Sequence, residues 1–504
     1  MTAPSIVNHI VAAPPLSRHR LTVHRLDGEV SLDLAELYAG AGRLAVQLRR
    51  LGVGPGDRIG IHSANRLEWV LLDLAALRLG AVTAGLEPEK FPAEPELLRR
   101  YRMKLLFTDQ PAVGAGIVPI DEAAKLAEVP GDGPEPVTYT PTDVTTLKFT
   151  SGSTGQPKGL GATVGSIDSS LWAVQRMFDH RPGDHLFVFL PLSLLQQRYW
   201  IYSALRFGHD VTVSTYEAAF AALRQARPTV VMGVPGFFST ARRQIEARAR
   251  RSGSTVDVVA REVFGDRIRY LWTGSAPATV DTLRFFTDAG LAIFEGYGLN
   301  ETCIVTKNHP GAHRLGSVGR VLPGKEVLLD ADGVIRVRAD HPVNTRYEYA
   351  APGDSERVFG PDGTVLTGDL GYFDEDGFLY IRGRADDVIV LGNGRKVIVR
   401  PIEERLRAHP AVDDCVLFCP SERHLVAVVS PAGAPADEVA IAEHVAAVNA
   451  AGHADERIHR VVVADEPFTV ANNQLSSQFK PRRQQILARY RDAIHDSQRG
   501  IHAR

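Results

Sequence analysis

The stretch 147–160, LKFTSGSTGQPKGL, decides how the rest of this chain is read. Gly152, Gly155 and Gly159, the hydroxyls of Thr150, Ser151, Ser153 and Thr154, and the ammonium of Lys158 follow a short strand-like run. A loop of this composition can wrap backbone N–H groups around phosphate oxygens. The run from Thr150 to Lys158 is therefore a candidate nucleotide grip. It is not the common Walker loop, whose lysine directly follows a glycine, because Gln156-Pro157 precedes Lys158 and Gly159 comes after it.

The bulk properties are those of an ordinary soluble globular protein. A chain of 504 residues is longer than one core usually sustains, and 44% hydrophobic residues supply material for more than one domain. A net charge of −2 with no long block of like charge implies neither nucleic acid nor an anionic membrane as partner. Cys303, Cys415 and Cys419 make neither a disulfide framework nor a zinc spacing, which fits a reducing cytoplasm. No basic start precedes the short apolar run 10–13, and the apolar run 69–79 is broken by Asp73 and Arg78, so neither a signal peptide nor a membrane span is expected. Only nine of the 57 basic residues are lysines, which marks each lysine as a candidate for a role that needs a compact point charge.

Helical periodicity at 34–51 and 67–79 alternates with strand-like runs at 58–62 and 104–108. Alternation of this kind predicts an α/β fold with mainly parallel strands covered by helices. Further apolar runs at 184–191, 229–235 and 268–277 end in Gly/Pro-rich turns, the pattern expected where ligands sit beyond the carboxyl ends of strands. Lys148 is anomalous in a buried strand, and reads either as a stem that snorkels from the strand end or as a ligand contact.

The string SGSTGQPKG closely resembles the phosphate loop of the adenylate-forming superfamily, which holds acyl-CoA synthetases, peptide-synthetase adenylation domains and luciferases. The resemblance runs from about 34 to 483 and is closest in style to long-chain fatty acyl-CoA ligases. It implies that Gly274, Ser275, Ala276 and Pro277 lie beside the adenine and acyl groups. Within AIFEGYGLNET it implies that Gly296, Tyr297 and Gly298 form the adenine wall, with the Tyr297 ring on the base, and that Glu301 is the catalytic carboxylate facing Mg²⁺. Asn300 stands where the family usually has threonine and can still donate to a phosphoryl oxygen. Asp369, in TGDLGYFDEDG, would hold the ribose hydroxyls with Arg384 beside it, and Asp386 would be the hinge.

The resemblance also implies two domains, 1–385 for ATP and substrate and 386–504 as a small mobile α+β lid. In the lid, Gly392-Asn393-Gly394 marks a hairpin. Lys480 is the only lysine after Lys396, and its setting LSSQFKPRR resembles the catalytic-lysine segment of long-chain ligases, although Ser476-Ser477-Gln478 replaces the usual Thr-Pro-Thr. The alternative for Lys480 is a solvated basic helix start. The run LPLSLLQQR lacks the histidine that borders the family's acyl channel, with Leu194 in its place, so Lys148, Leu194, Arg198 and Phe237 are the candidate substrate-pocket residues.

The activity so implied is ATP-dependent activation of a carboxylic acid as acyl-AMP, with release of pyrophosphate and transfer to the thiol of CoA. Three alternatives stay open: a carrier protein as acceptor, a non-carboxylate oxyanion such as nitrite activated to diazotise an aryl amine, and a non-catalytic nucleotide-binding homologue. The expected partners are a small-molecule acid, ATP, Mg²⁺ and CoA.

Overall fold

The structure, a computed structural model, describes residues 3–15, 18–151, 157–433, 435–476, 479–496 and 500–502. The expected alternation is present. Helices Leu34–Arg50 and Leu67–Leu79 flank the strand Arg58–His62, and Met103–Thr108 follows as a further strand. The second helix ends at Gly80, whose φ of +73° turns the chain left-handed and returns its N–H to the carbonyl of Ala76.

That helix is buried from Trp69 to Leu79 on every side, so its Asp73 needs internal partners. It finds them in Arg198 Nη1 at 2.7 Å, Tyr202 Oη at 2.6 Å and Thr83 Oγ1 at 3.0 Å. The charges that exclude a membrane span are thus core charges. Among the described residues no helix is long and apolar enough to cross a membrane.

Six strands form one sheet in the order Ile117–Pro119, Met103–Thr108, Arg58–His62, Val82–Leu86, Val144–Ser151, Pro157–Thr163. All pairings are parallel except the last, which is antiparallel. A nine-stranded sheet has a parallel centre running from Ile293–Leu299 through Tyr270–Thr273, Val230–Gly233, His185–Val188 and Asp210–Ser214 to Arg20–Arg25. Its outer pairs are antiparallel. Val82–Leu86 and Val230–Gly233 are buried at every position, which explains why the latter reads as an unbroken apolar run. A third, antiparallel sheet of four strands carries Val365–Phe373 and Leu379–Arg384.

Beyond Asp386 the chain builds its own cores. The strands Val412–Phe418 and Leu425–Pro431 alternate their side chains between two faces. Cys415, Leu417, Ala427 and Val429 pack on one face with Ile402, Leu406, Ile441 and Val445. Val416, Phe418, Val426 and Val428 pack on the other with Phe468, Ile486 and Ile494. The expected hairpin is present, with Val388–Val390 antiparallel to Lys396–Ile398 across Gly394 at φ +82°.

Candidate active site

The two ends of the phosphate-loop motif pair antiparallel, Thr150 with Lys158 and Ser151 with Pro157. The strand continues through Gly159 to Thr163, and the helix begins only at Val164. Gly152, Ser153, Thr154 and Gly155 lie outside the described residues. Lys158 is nearly buried, its ammonium 2.9 Å from Asp354 and 5.1 Å from the centre of the Tyr347 ring.

Glu301 stands on a turn held from both sides. Lys148 Nζ donates to the carbonyl of Asn300 at 2.5 Å, and Lys325 Nζ to that of Thr302 at 3.0 Å. Burial lowers the pKa of both ammoniums below that of an ordinary lysine. A third buried lysine, Lys307, donates to the carbonyls of Phe294 and Thr273 and sits 3.3 Å from the centre of the Trp272 ring. The lysine scarcity noted in the sequence thus has a structural counterpart, because strand-end carbonyls are capped here by point charges. The Glu301 carboxylate accepts from Tyr347 Oη at 2.7 Å and is in no ion pair among the described residues. No cluster of three or more metal-ligating side chains exists among the described residues. A lone carboxylate fits Mg²⁺ that arrives on nucleotide phosphates and keeps several waters.

Between the large unit and the chain beyond Asp386 lies a cavity of 1130 Å³, whose wall joins much of what the sequence singled out. Ser275, Ala276, Pro277, Gly296, Tyr297 and Gly298 come from the ends of two parallel strands, Asp369 and Arg384 from the antiparallel sheet, and Asp386 and Lys480 from beyond it. Gly298 is required by close approach, since a Cβ there would lie 1.9 Å from the carbonyl oxygen of Cys303. Tyr297 Oη donates to Asp369 Oδ2 at 2.6 Å, and burial together with this carboxylate drives the phenol's pKa far up. Arg384 bridges Asp369 at 3.2 Å and Asp386 at 3.0 Å. Lys480 touches the water of the cleft, yet the surrounding walls desolvate its ammonium and lower its pKa, with Asp369 opposing the shift and Arg384 and Arg400 adding to it.

The four candidate substrate-pocket residues are not in this wall. Arg198 is fully buried as the partner of Asp73, and its Nη1 also donates to Thr83 and Thr146. Lys148 is taken up by the Asn300 carbonyl, and Phe237 by an aromatic core with Phe189 and Phe220. Leu194 packs against that same core. Gly274, Asn300, Glu301, Thr150 and Lys158 likewise lie behind or beside the wall rather than in it.

The sequence reading passed over Glu295, which is buried in the wall and accepts from the Ala278 N–H at 3.3 Å. Burial lifts its carboxyl to about 7, against the opposing pull of the Ala278 hydrogen bond and of Lys307 and Arg400. An acid closing the apolar run Ala292-Ile293-Phe294 was the available signal. Tyr216, Arg243 and Phe479 were also missed, because nothing local sets them apart.

This cleft belongs to a nucleotide-activating enzyme by family as well as by geometry. The chain matches the AMP-binding enzyme family over residues 12–340 and the AMP-binding enzyme C-terminal domain over residues 386–499, and it belongs to that family. Among curated relatives it is 28% identical to the long-chain-fatty-acid–CoA ligase FadD15 of Mycobacterium tuberculosis, over 89% of each chain. It is also 28% identical to the 2-succinylbenzoate–CoA ligase of Bacillus subtilis, over 79% of this chain and 82% of the relative. Its fold is similar to o-succinylbenzoate CoA synthetase from Bacillus subtilis in complex with the acyl-adenylate OSB-AMP, with a TM-score of 0.78 and 21% identity over 99% of this chain and 100% of that one. ATP-bound MatB from Rhodopseudomonas palustris gives a TM-score of 0.81 at 23% identity, over 98% of this chain and 99% of that one.

Proposed function

We propose that this chain activates a carboxylic acid as its acyl adenylate, releases pyrophosphate, and passes the acyl group to the thiol of CoA. The observation that carries the reading is the convergence of Lys480, from the last quarter of the chain, with Tyr297, Asp369 and Arg384 on one cavity wall. The Tyr297 ring flanks the adenine, and Asp369 takes the ribose hydroxyls in place of the Tyr297 phenol. Lys158 and the hairpin tip hold the phosphates. When bound, Mg²⁺ at Glu301 neutralises phosphate charge.

A carboxylate oxygen attacks the α-phosphorus, a C–O–P linkage forms, and the bond to the β-phosphate oxygen breaks. The protein contributes positioning and charge rather than covalent chemistry. Lys480 lies against the charge that builds on the α-phosphate and carboxylate oxygens. In the second step a thiolate attacks the acyl carbon and AMP leaves. A chamber closed by a second unit suits this order, since an acyl adenylate in contact with water hydrolyses.

We read residues 1–385 and 386–504 as the two units, with rotation at Asp386 bringing the Val388–Ile398 hairpin toward the site for the second step. The separate cores beyond Asp386 and the separate family match over 386–499 support this division. The expected location is cytoplasmic. CoA is preferred to a carrier protein as acceptor because the curated relatives reported above are named as CoA ligases. A panel of acids assayed for pyrophosphate, with and without CoA, tests the proposal. ATP- and acid-dependent pyrophosphate release is the expected result, and its absence for every acid would overturn it.

A further inference from the structure

We propose that Phe479 is a positioning residue for adenylation: its ring docks in an aromatic socket of the large unit and so fixes the turn that carries Lys480. The inference rests on reading Lys480 as the lysine of the adenylation step.

Phe479 comes from beyond the hinge, yet it packs against the large unit's aromatic core, and no other described residue after Asp386 does so. Its ring centre lies 4.7 Å from that of Tyr216, with 30° between the planes. Tyr216 in turn lies 5.9 Å from Phe189 and 6.4 Å from Phe237, so the docked ring extends a continuous aromatic cluster. Below it Gly236 opens the helix Pro235–Ser252, and a Cβ added there would meet the Phe479 Cβ at 3.7 Å. The Phe479 stem thus lies directly on the first turn of that helix.

The local backbone makes docking of the ring and placement of the lysine one event. Phe479 N–H donates to the Ser476 carbonyl at 2.8 Å, Ser476 N–H to the Lys480 carbonyl at 2.8 Å, and Lys480 N–H to Ser476 Oγ at 3.1 Å. Phe479 sits at φ +57°, where a large side chain is strained and persists only if its surroundings hold it. In this turn Phe479 reaches the socket while Lys480 enters the cleft beside Asp369 and Arg384.

Near the hinge the divide is also crossed by Ile398 and Arg400 against Gly383 and by Arg384 with Asp386, whereas the ion pairs farther out are weak. Arg243–Asp413 at 3.0 Å and Lys396–Asp332 at 3.2 Å are both solvent-exposed, and exposed pairs hold little. A single apolar ring is strong enough to bias a lid and small enough to let it leave for the second step.

The test uses the full-length protein with Phe479→Ala, Phe479→Tyr, Tyr216→Ala and the double alanine variant. Phe479→Ala should lower kcat for acid-dependent pyrophosphate release about 10- to 100-fold, the scale on which losing one buried ring tips a two-state docking equilibrium. KM for ATP should move by less than about two-fold, because the ring packs on Tyr216 rather than on Tyr297, Asp369 or Arg384. Thioester formation from a chemically supplied acyl adenylate should be unchanged, and Phe479→Tyr should restore most of the loss. Tyr216→Ala should behave alike, with the double variant little worse than either single one.

Independently of turnover, hydrogen exchange across 475–481 in the free protein should quicken in Phe479→Ala while the melting transition stays put. Unchanged kcat in an active background, strictly additive effects, or equal loss in both half-reactions would each overturn the proposal. If the wild-type protein released no pyrophosphate with any acid, the proposed reaction would fall. Unaltered exchange in Phe479→Ala would refute the docking separately.

Discussion

Replacing Glu295 by glutamine should stabilise the protein in a pH-dependent way. The carboxyl sits in the cavity wall at about 7 because burial disfavours its charged form. Its facing groups are the Ala278 N–H, Lys307, Arg400 and Glu404, and none makes an ion pair with it among the described residues. A group whose pKa is higher in the folded state binds its proton more tightly there. Its stabilising contribution is therefore complete below the unfolded value of 4.5 and is lost as pH rises through about 7.

At roughly 1.4 kcal/mol per pH unit, the interval from 4.5 to about 7 is worth about 3 kcal/mol at most. Glu295→Gln keeps the shape and the acceptor for Ala278 but cannot ionise. Its unfolding free energy should match the wild type near pH 4 and exceed it by up to that amount at pH 8, measured by urea titration at several pH values. A difference constant from pH 5 to 8 would refute the reasoning. A loss at every pH would mean that Glu295 is ionised and paired with Lys307.

Lys480→Ala should slow adenylate formation by about 10²–10³, the usual cost of one lost electrostatic donor, and should leave thioester formation from supplied adenylate near normal. Equal loss in both half-reactions would return Lys480 to a folding role. The wild-type adenylation rate should fall on the alkaline side at a pH below that of an ordinary lysine, since desolvation lowers the ammonium's pKa and the charged form is the active one; a rate flat to pH 10.5 would contradict this. Arg198→Met should destabilise the fold by about 3–5 kcal/mol, because Asp73 is left buried without its cation, while acid preference stays the same. Long-chain fatty acids should be poor substrates beside smaller aromatic or polar-substituted acids, since Thr215 and Glu217 line the cavity wall; rapid turnover of palmitate would sink this.

Much of this was legible in the chain because the signals were local. The helix at 67–79 was read to the residue from its periodicity, and the strand at 58–62 from its strand-like run. Tyr297, Asp369 and Arg384 share one cavity wall because motif strings fix them to strands that meet. The candidate substrate-pocket residues lie outside it, because a side chain's direction depends on partners far away in sequence. Arg198 turns inward to an aspartate 125 positions earlier, and Lys148 to a carbonyl 152 positions later. The antiparallel pairing of Thr150 with Lys158 was not legible either, because the motif's composition does not say which way the chain leaves it. Phe479 was invisible for the same reason, since a lone aromatic beside a lysine says nothing of the socket it enters.

The pairing of Lys158 with the buried carboxylate of Asp354 makes phosphate capture an exchange of anions. A nucleotide reaching this lysine has to displace an internal competitor that never diffuses away. On the proposed role of Lys158, Asp354 lowers by one common factor the affinity of every ligand that leans on that lysine. Once the α–β bond has broken, pyrophosphate no longer shares the adenine and ribose contacts and is held by little else. The carboxylate that tempers ATP binding would then also hasten departure of the leaving group.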